Sequence, residues 1–184
     1  MLVDADRVAA SNVNRQVVAT AATVGEPKAE VLRRRILEIN PAAEVDARVA
    51  FYDAGTAGDF ALCGFDYVID AIDSLDSKAR LIRHALSCPG VTLFSSMGAA
   101  RRLDPLRVRT AEFWKVKGDG LARALRGRFR KSGDFPARKF RCVYSDEPPA
   151  CEGLGSLVQV TAVFGMTLAA MVVDDVRGRA NEVS

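Results

Sequence analysis

Residues 66–96 read DYVIDAIDSLDSKARLIRHALSCPGVTLFSS, and their reading decides the fold. Tyr67-Val68-Ile69-Asp70 is a short apolar run that predicts a buried strand. Ser74 to Leu86 reads as a helix, with Ser74 placed to cap it and Pro89-Gly90 beyond its end. Val91-Thr92-Leu93-Phe94-Ser95 is a second apolar strand. Strand, helix and strand in this order imply a right-handed crossover between parallel neighbours. The expected fold is α/β, a Rossmann-like, mostly parallel sheet flanked by helices.

Upstream, Leu2-Val3-Asp4 reads as the end of a strand, followed by a polar irregular stretch to Arg15. A helix is expected from Val24 or Pro27 to Ile39, because Val31, Leu32, Ile36 and Ile39 recur at helical spacing. Asn40-Pro41 stops it. Glu44 to Ala50 alternates like an edge strand, and Phe60 to Cys63 reads as a short helix or turn ended by Gly64. Downstream, Leu106 to Phe113 alternates like an amphipathic strand, Asp119 to Lys131 suits a basic helix, and Lys139 to Ser145 is a further strand. Ser156 to Val173 is the most apolar stretch. Its length is near the lower limit for a membrane span, but its acidic flanks and Gln159, Thr161 and Thr167 favour a helix packed on the sheet. Two segments are expected, a partial α/β core over 1–100 and, over 101–184, a basic segment plus C-terminal strand and long apolar helix packing on the same domain.

Charge is distributed unevenly. Residues 101–141 carry 14 Lys and Arg against 4 Asp and Glu, whereas the rest of the chain carries 12 against 19. Such a block is a solvated face or a polyanion surface, because Lys and Arg that neutralise phosphates dominate nucleic-acid binding. The four cysteines, Cys63, Cys88, Cys142 and Cys151, form no CxxC pair. That spacing excludes a local zinc or redox motif and predicts reduced thiols in a cytoplasmic setting. The opening MLVDADRV does not read as a signal peptide.

The residues suited to chemistry lie in pieces that follow a strand or open a helix, where open α/β sheets bind ligands. Asp4, just past a strand, is placed to hold a ribose hydroxyl pair. Arg15 and Lys28 are cations that can neutralise a triphosphate. Asp73, past a buried strand, can hold Mg²⁺ through one carboxylate together with substrate phosphates. Each residue alone is equally a turn, cap or surface residue; the ordered set and its spacing carry the reading.

LVDADRVAASNVNRQ at 2–16, VGEPKAEVLRRRILEINP at 24–41 and YVIDAIDS at 67–74 resemble the ubiquitin-activating-enzyme-like, ThiF-type adenylyltransferase superfamily. The resemblance covers residues 1 to about 100. It implies ATP and Mg²⁺, with Asp4 at the ribose, Asn12, Arg15 and Lys28 around the phosphates, and Asp73 with Ser74 at the metal end. Arg15, Lys28 and Asp73 are the residues expected to act in catalysis. CVYSDEPPA at 142–150 and GSLVQVTAVFGMTLAAMVV at 155–173 are similar to the tRNA threonylcarbamoyladenosine dehydratase branch. That branch implies ATP-dependent cyclisation of threonylcarbamoyladenosine in tRNA through carboxylate adenylation, with tRNA as partner and a homodimer as assembly. Relatives that activate sulfur-carrier proteins imply an alternative partner, a carrier or sulfur-donor protein, but they usually hold two CxxC pairs. The resemblance also implies a preceding strand, glycine-rich phosphate loop and helix, which this sequence does not show. A non-catalytic homologue that binds RNA or a partner is therefore a third reading.

Other residues have bland and functional readings side by side. His84 is a packing or surface histidine, or a general base. Cys142 is a buried strand cysteine, or a nucleophile. Arg33-Arg34-Arg35 is the wet face of a helix, or a tRNA contact. Phe113 and Trp114, beside Lys115 and Lys117, anchor the core or stack on a base.

Overall fold

Leu2–Val3 form β1, which pairs in parallel with β2 at Ala47–Arg48 in the register Leu2↔Ala47 and Val3↔Arg48. The computed structural model describes residues 1–150 and 155–182, in two units, Met1–Thr56 and Ala57–Ser184. Residue 100, where the sequence texture changes, lies inside the second unit.

In the first unit, α1 spans Lys28–Ile39, as its spacing predicts, and Pro27 precedes it with extended backbone. Ala29 and Val31 form its buried face, and Val31 packs with Val8, Val18 and Ala19. The expected edge strand over 44–50 shrinks to the two residues of β2. Pairing ends where Asp4 turns, its Oδ1 accepting from Asp6 N at 2.8 Å.

In the second unit, β3 (Tyr67–Asp70), β4 (Thr92–Ser96), β5 (Val108–Glu112) and β6 (Arg141–Ser145) form a four-stranded sheet. Its order is β3-β4-β6-β5, with β3, β4 and β6 parallel and β5 antiparallel to β6. The crossover read in 66–96 is α2, Leu75–Ser87, which buries Ala79, Leu81, Ile82, Ala85 and Leu86. β5 is shorter than its alternation predicts because side chains divert the backbone at both ends. Asp104 caps Leu106 N, and Glu112 caps Trp114 N, opening short 3-10 turns at Pro105–Arg107 and Phe113–Lys115. α3, Gly120–Ser132, starts at Asp119, whose carboxylate accepts from Ala122 N, and ends at Gly133 with φ 68°. Glycine is the residue that adopts such a left-handed cap without a Cβ penalty.

The long apolar helix α4 spans Val158–Glu182. Val160, Phe164, Leu168 and Met171 recur at helical spacing and pack on Phe94 and Val143 of the sheet. Each such buried side chain contributes about 1.5–3 kcal/mol. The helix is also long and apolar enough to cross a membrane by length and composition. Its opposite face leaves Met166, Val173 and Val176 exposed.

The expectation of four reduced thiols needs correction. Cys63, in a 3-10 turn at Leu62–Gly64, and Cys88, just past α2, form a disulfide across a separation of 25 residues. A search for CxxC pairs misses it because β3 and α2 fold back to close the gap. Cys142 is free and fully buried, and Cys151 lies outside the described residues.

Candidate functional site

The residues expected at a nucleotide fall in both units, Asp4, Asn12, Arg15 and Lys28 in the first, Asp73 and Ser74 in the second. In the first unit the chain after β1 is stitched to the start of α1. Val8 N donates to Glu26 O, Gly25 N to Val8 O, and Lys28 N to Asp6 O at 2.9 Å. Gly25, with φ 90°, makes the turn that allows this. The stitching brings Lys28 Nζ to Asp6 Oδ2 at 2.7 Å; the lysine side chain is 13% exposed and the aspartate 61%. Asp6 was quoted within its motif but given no role by the sequence; it sets the position of the α1 lysine.

Among the described residues, Asp4 Oδ2 accepts no hydrogen bond, while Oδ1 accepts from Asp6 N. Asn12 is buried and turned inward, its Oδ1 accepting from Ala9 N at 3.0 Å. Arg15 Nη1 donates to Ser11 O at 2.7 Å and to Asn14 Oδ1 at 2.9 Å. This unit therefore gathers Asp4, Asp6 and Lys28 through direct bonds, while Arg15 and Asn12 shape the neighbouring 3-10 turn at Ala10–Asn12.

In the second unit the support of Asp73 is entirely buried. Asp70, at the end of β3, is 0% exposed and pairs with Lys78 Nζ at 2.8 Å, also 0% exposed. Ser95 Oγ on β4 donates to Asp70 Oδ2 at 2.6 Å, and Ile72 N donates to Oδ1 at 3.0 Å. Lys78 Nζ also donates to Ile72 O at 2.8 Å. These bonds fix Asp70 and Ile72, the residues that lead to Asp73. Asp73 itself is exposed and, among the described residues, makes no hydrogen bond or ion pair. Ser74 precedes α2 with extended backbone, but its hydroxyl makes no capping bond.

Asp73 thus presents one unpaired carboxylate, which suits Mg²⁺ held mainly by phosphates and water. No cluster of three or more metal-ligating residues occurs among the described residues. Lys78 escaped the sequence reading because a lysine on a helix ordinarily marks the solvent side.

The remaining candidates sort by geometry. Phe113 is fully buried, stacked on Phe140 at 4.8 Å and edge-on to Trp114 at 5.1 Å, so it is a core anchor and not a base-stacking residue. Trp114 is half-buried beside Phe135. Arg34 pairs with Glu26 at 2.9 Å and Arg33 with Glu30 at 3.8 Å, which makes that run the wet face of α1. Burial pushes the Cys142 thiol far above its ordinary range, which disfavours a nucleophile. His84 lies in the last turn of α2.

The basic block divides in two. Arg126, Arg128 and Arg138 serve the fold, bonding Phe113 O, Asp76 and the carbonyls of Leu86, Cys88 and Val91. Lys115, Lys117, Arg123, Arg130 and Lys131 are exposed and without partners among the described residues.

A mostly parallel sheet with a helical crossover between strands and charged residues past the strand ends defines a Rossmann-like α/β fold, in which ligands bind at the carboxyl ends of the strands. The ThiF family profile matches residues 1–183, and the chain belongs to that family. It is 41% identical over 149 residues to the tRNA threonylcarbamoyladenosine dehydratase of Bacillus subtilis, covering 81% of this chain and 58% of that protein. The chain therefore spans rather more than half the length of that relative. The crystal structure of the Escherichia coli tRNA N6-threonylcarbamoyladenosine dehydratase in complex with ATP is similar at a TM-score of 0.90 and 32% identity, covering 100% of this chain and 77% of that one. A sulfur carrier protein adenylyltransferase of Thermus thermophilus is 38% identical over 77 residues, covering 42% of this chain and 28% of that protein.

Proposed function

We propose that this chain carries the ATP-dependent cyclisation, a net dehydration, of threonylcarbamoyladenosine in tRNA. The observation that carries the reading is the exposed Asp73 on a buried support, in a chain similar to proteins named tRNA threonylcarbamoyladenosine dehydratase. ATP, when bound, would supply the adenylyl group: pyrophosphate would leave as the substrate carboxylate is adenylated, and AMP would leave when the internal nucleophile attacks the activated carbonyl carbon.

Every other contribution belongs to the protein. Asp4 Oδ2 takes the ribose hydroxyls. Lys28, already near a carboxylate, exchanges Asp6 for phosphate, and Arg15 adds a second cation beside it. In the second unit Asp73 would hold Mg²⁺, supported by the Asp70–Lys78 pair, with Ser74 next to it in the chain. Preorganised charge of this kind acts by positioning and by stabilising the charge that develops in the transition state. Lys115, Lys117, Arg123, Arg130 and Lys131 offer a basic face to the tRNA backbone. A homodimer and a cytoplasmic location belong to the same proposal.

The match to a carrier-protein adenylyltransferase favours a second reading, activation of a carrier protein's C-terminal carboxylate on the same residues. ATP–pyrophosphate exchange separates the two. Stimulation by threonylcarbamoyladenosine-bearing tRNA supports the first, stimulation by a carrier protein the second, and exchange stimulated by neither contradicts both.

A further inference from the structure

Phe135 is 51% exposed, on the loop just past α3, and its ring lies 6.0 Å from that of Trp114. Trp114 is half-buried and leans on two core rings, Phe113 at 5.1 Å and Phe129 at 6.5 Å. Its indole N–H donates to no group among the described residues. The core thus holds the pair from beneath and leaves aromatic surface open to solvent. Single exposed rings are common. Two in contact, with free cations around them, are the pattern of a stacking site for nucleic-acid bases.

The cations are there. Within the basic block, Arg102 is buried, and Arg126, Arg128 and Arg138 hold the fold. Lys115 and Lys117 follow Trp114 directly, and Lys139 precedes Phe140, which stacks on Phe113. Arg130 stands one turn beyond Arg126, whose guanidinium donates to Phe113 O at 3.3 Å, so it shares the α3 face that borders the rings. All four are exposed and make no hydrogen bond or ion pair among the described residues. The acids nearest the rings in sequence are engaged, Asp134 with Arg83 and Glu112 with Trp114 N. Free cations beside open aromatic faces match RNA, whose nucleotides each bring a phosphate and a stackable base. A paired stem hides its base faces, so an unpaired base is what this surface can take.

The rings lie away from the chemistry. Trp114 follows β5, whose Glu112 pairs with Arg141 at the start of β6, whereas Asp73 follows the carboxyl end of β3. At about 3.3 Å per residue, the two are on the order of 20 Å apart along the strands. A base stacked here is not the base that reacts.

We propose that Trp114 and Phe135 form a stacking site for an unpaired RNA base, with Lys115, Lys117, Arg130 and Lys139 taking the phosphates around it. Resting on the tRNA substrate proposed above, the site gives that RNA a second point of attachment, remote from the reacting group.

Trp114 is the one tryptophan of the 184-residue chain, so its fluorescence reports a base at the site. The probes are an RNA stem-loop, the same stem-loop with abasic riboses in its loop, and a fully paired RNA duplex of equal charge. Quenching is read on wild type. Anisotropy of labelled RNA gives affinities for wild type, Trp114→Leu, Phe135→Ala and Lys115→Gln, with the Tm of each recorded. The stem-loop should quench Trp114, and the abasic and duplex probes should not. Trp114→Leu and Phe135→Ala should each lose about tenfold in affinity for the stem-loop and little for the other two probes. Phe135→Ala removes an exposed ring and carries the test where Trp114→Leu lowers the Tm. Lys115→Gln should weaken all three probes alike and reduce the salt dependence. Equal losses for all three probes in Phe135→Ala, a stem-loop that leaves the fluorescence unchanged, or a wild type that binds no RNA overturns the stacking site. Quenching by the stem-loop, while threonylcarbamoyladenosine-bearing tRNA fails to stimulate pyrophosphate exchange, keeps the site and removes the dehydratase reading. Stimulated exchange without quenching does the reverse.

Discussion

Two turns follow parallel strands in this chain, and they hold their charges in opposite ways. After β1, Lys28 and Asp6 meet near solvent, with the aspartate 61% exposed. After β3, Lys78 and Asp70 meet with neither side chain exposed at all, and the carboxylate that faces solvent, Asp73, is left unpaired. A pair with one partner at the surface costs less to open than a fully buried one and can trade that partner for a phosphate. A buried pair is expensive to break and serves to fix what stands above it. The difference teaches that one turn is built to exchange partners and the other to hold still.

The comparison breaks most visibly at Lys78. Lys78→Met should destabilise the chain by about 3–5 kcal/mol, because Asp70 is left charged and buried. Denaturant unfolding measures it, and a double change of Asp70→Leu with Lys78→Met should recover most of the loss. Reduction of the Cys63–Cys88 bridge comes next. Its 25-residue separation corresponds to roughly 3 kcal/mol of loop entropy, seen as a lower Tm in a phosphine reductant. Lys28→Ala should cost only about 0–1 kcal/mol of stability while weakening ATP binding, a split that unfolding and calorimetry together expose.

The smallest effect is acid-dependent. The hydrogen bond from Arg107 holds the Asp146 carboxyl below its usual range, and that from Arg34 does the same for Glu26. A depressed carboxyl contributes stability above its unfolded pKa and loses it as pH falls through the lower folded value. The Tm of wild type should therefore decline below about pH 4, and Arg107→Gln should flatten that limb.

The crossover at 66–96 was legible because an apolar run, a capped helix and a second apolar run leave few alternatives. The ends of α1 and α3 were legible for the same local reasons, Asn40-Pro41 in one and Asp119 with Gly133 in the other. What stayed hidden depends on distant partners. Lys78 reads as a solvent-facing lysine until β3 brings Asp70 to it. Arg102 reads as one more charge in a basic block until the loop closes over it. Cys63 and Cys88 read as unrelated thiols until α2 returns the chain. Among the expected site residues, Lys28 pairs with Asp6 and Asp73 is exposed, whereas Asn12 turns inward to hold its own loop.

The central claim is that Asp73 is a metal-holding carboxylate on a rigid support, and the Mg²⁺ dependence of ATP affinity tests it most directly. Calorimetric titrations with and without Mg²⁺ should show tighter ATP binding with the metal in wild type. In Asp73→Asn that gain should vanish, with metal-free affinity and Tm unchanged. An Asp73→Asn chain that keeps the full Mg²⁺-dependent gain would contradict the account.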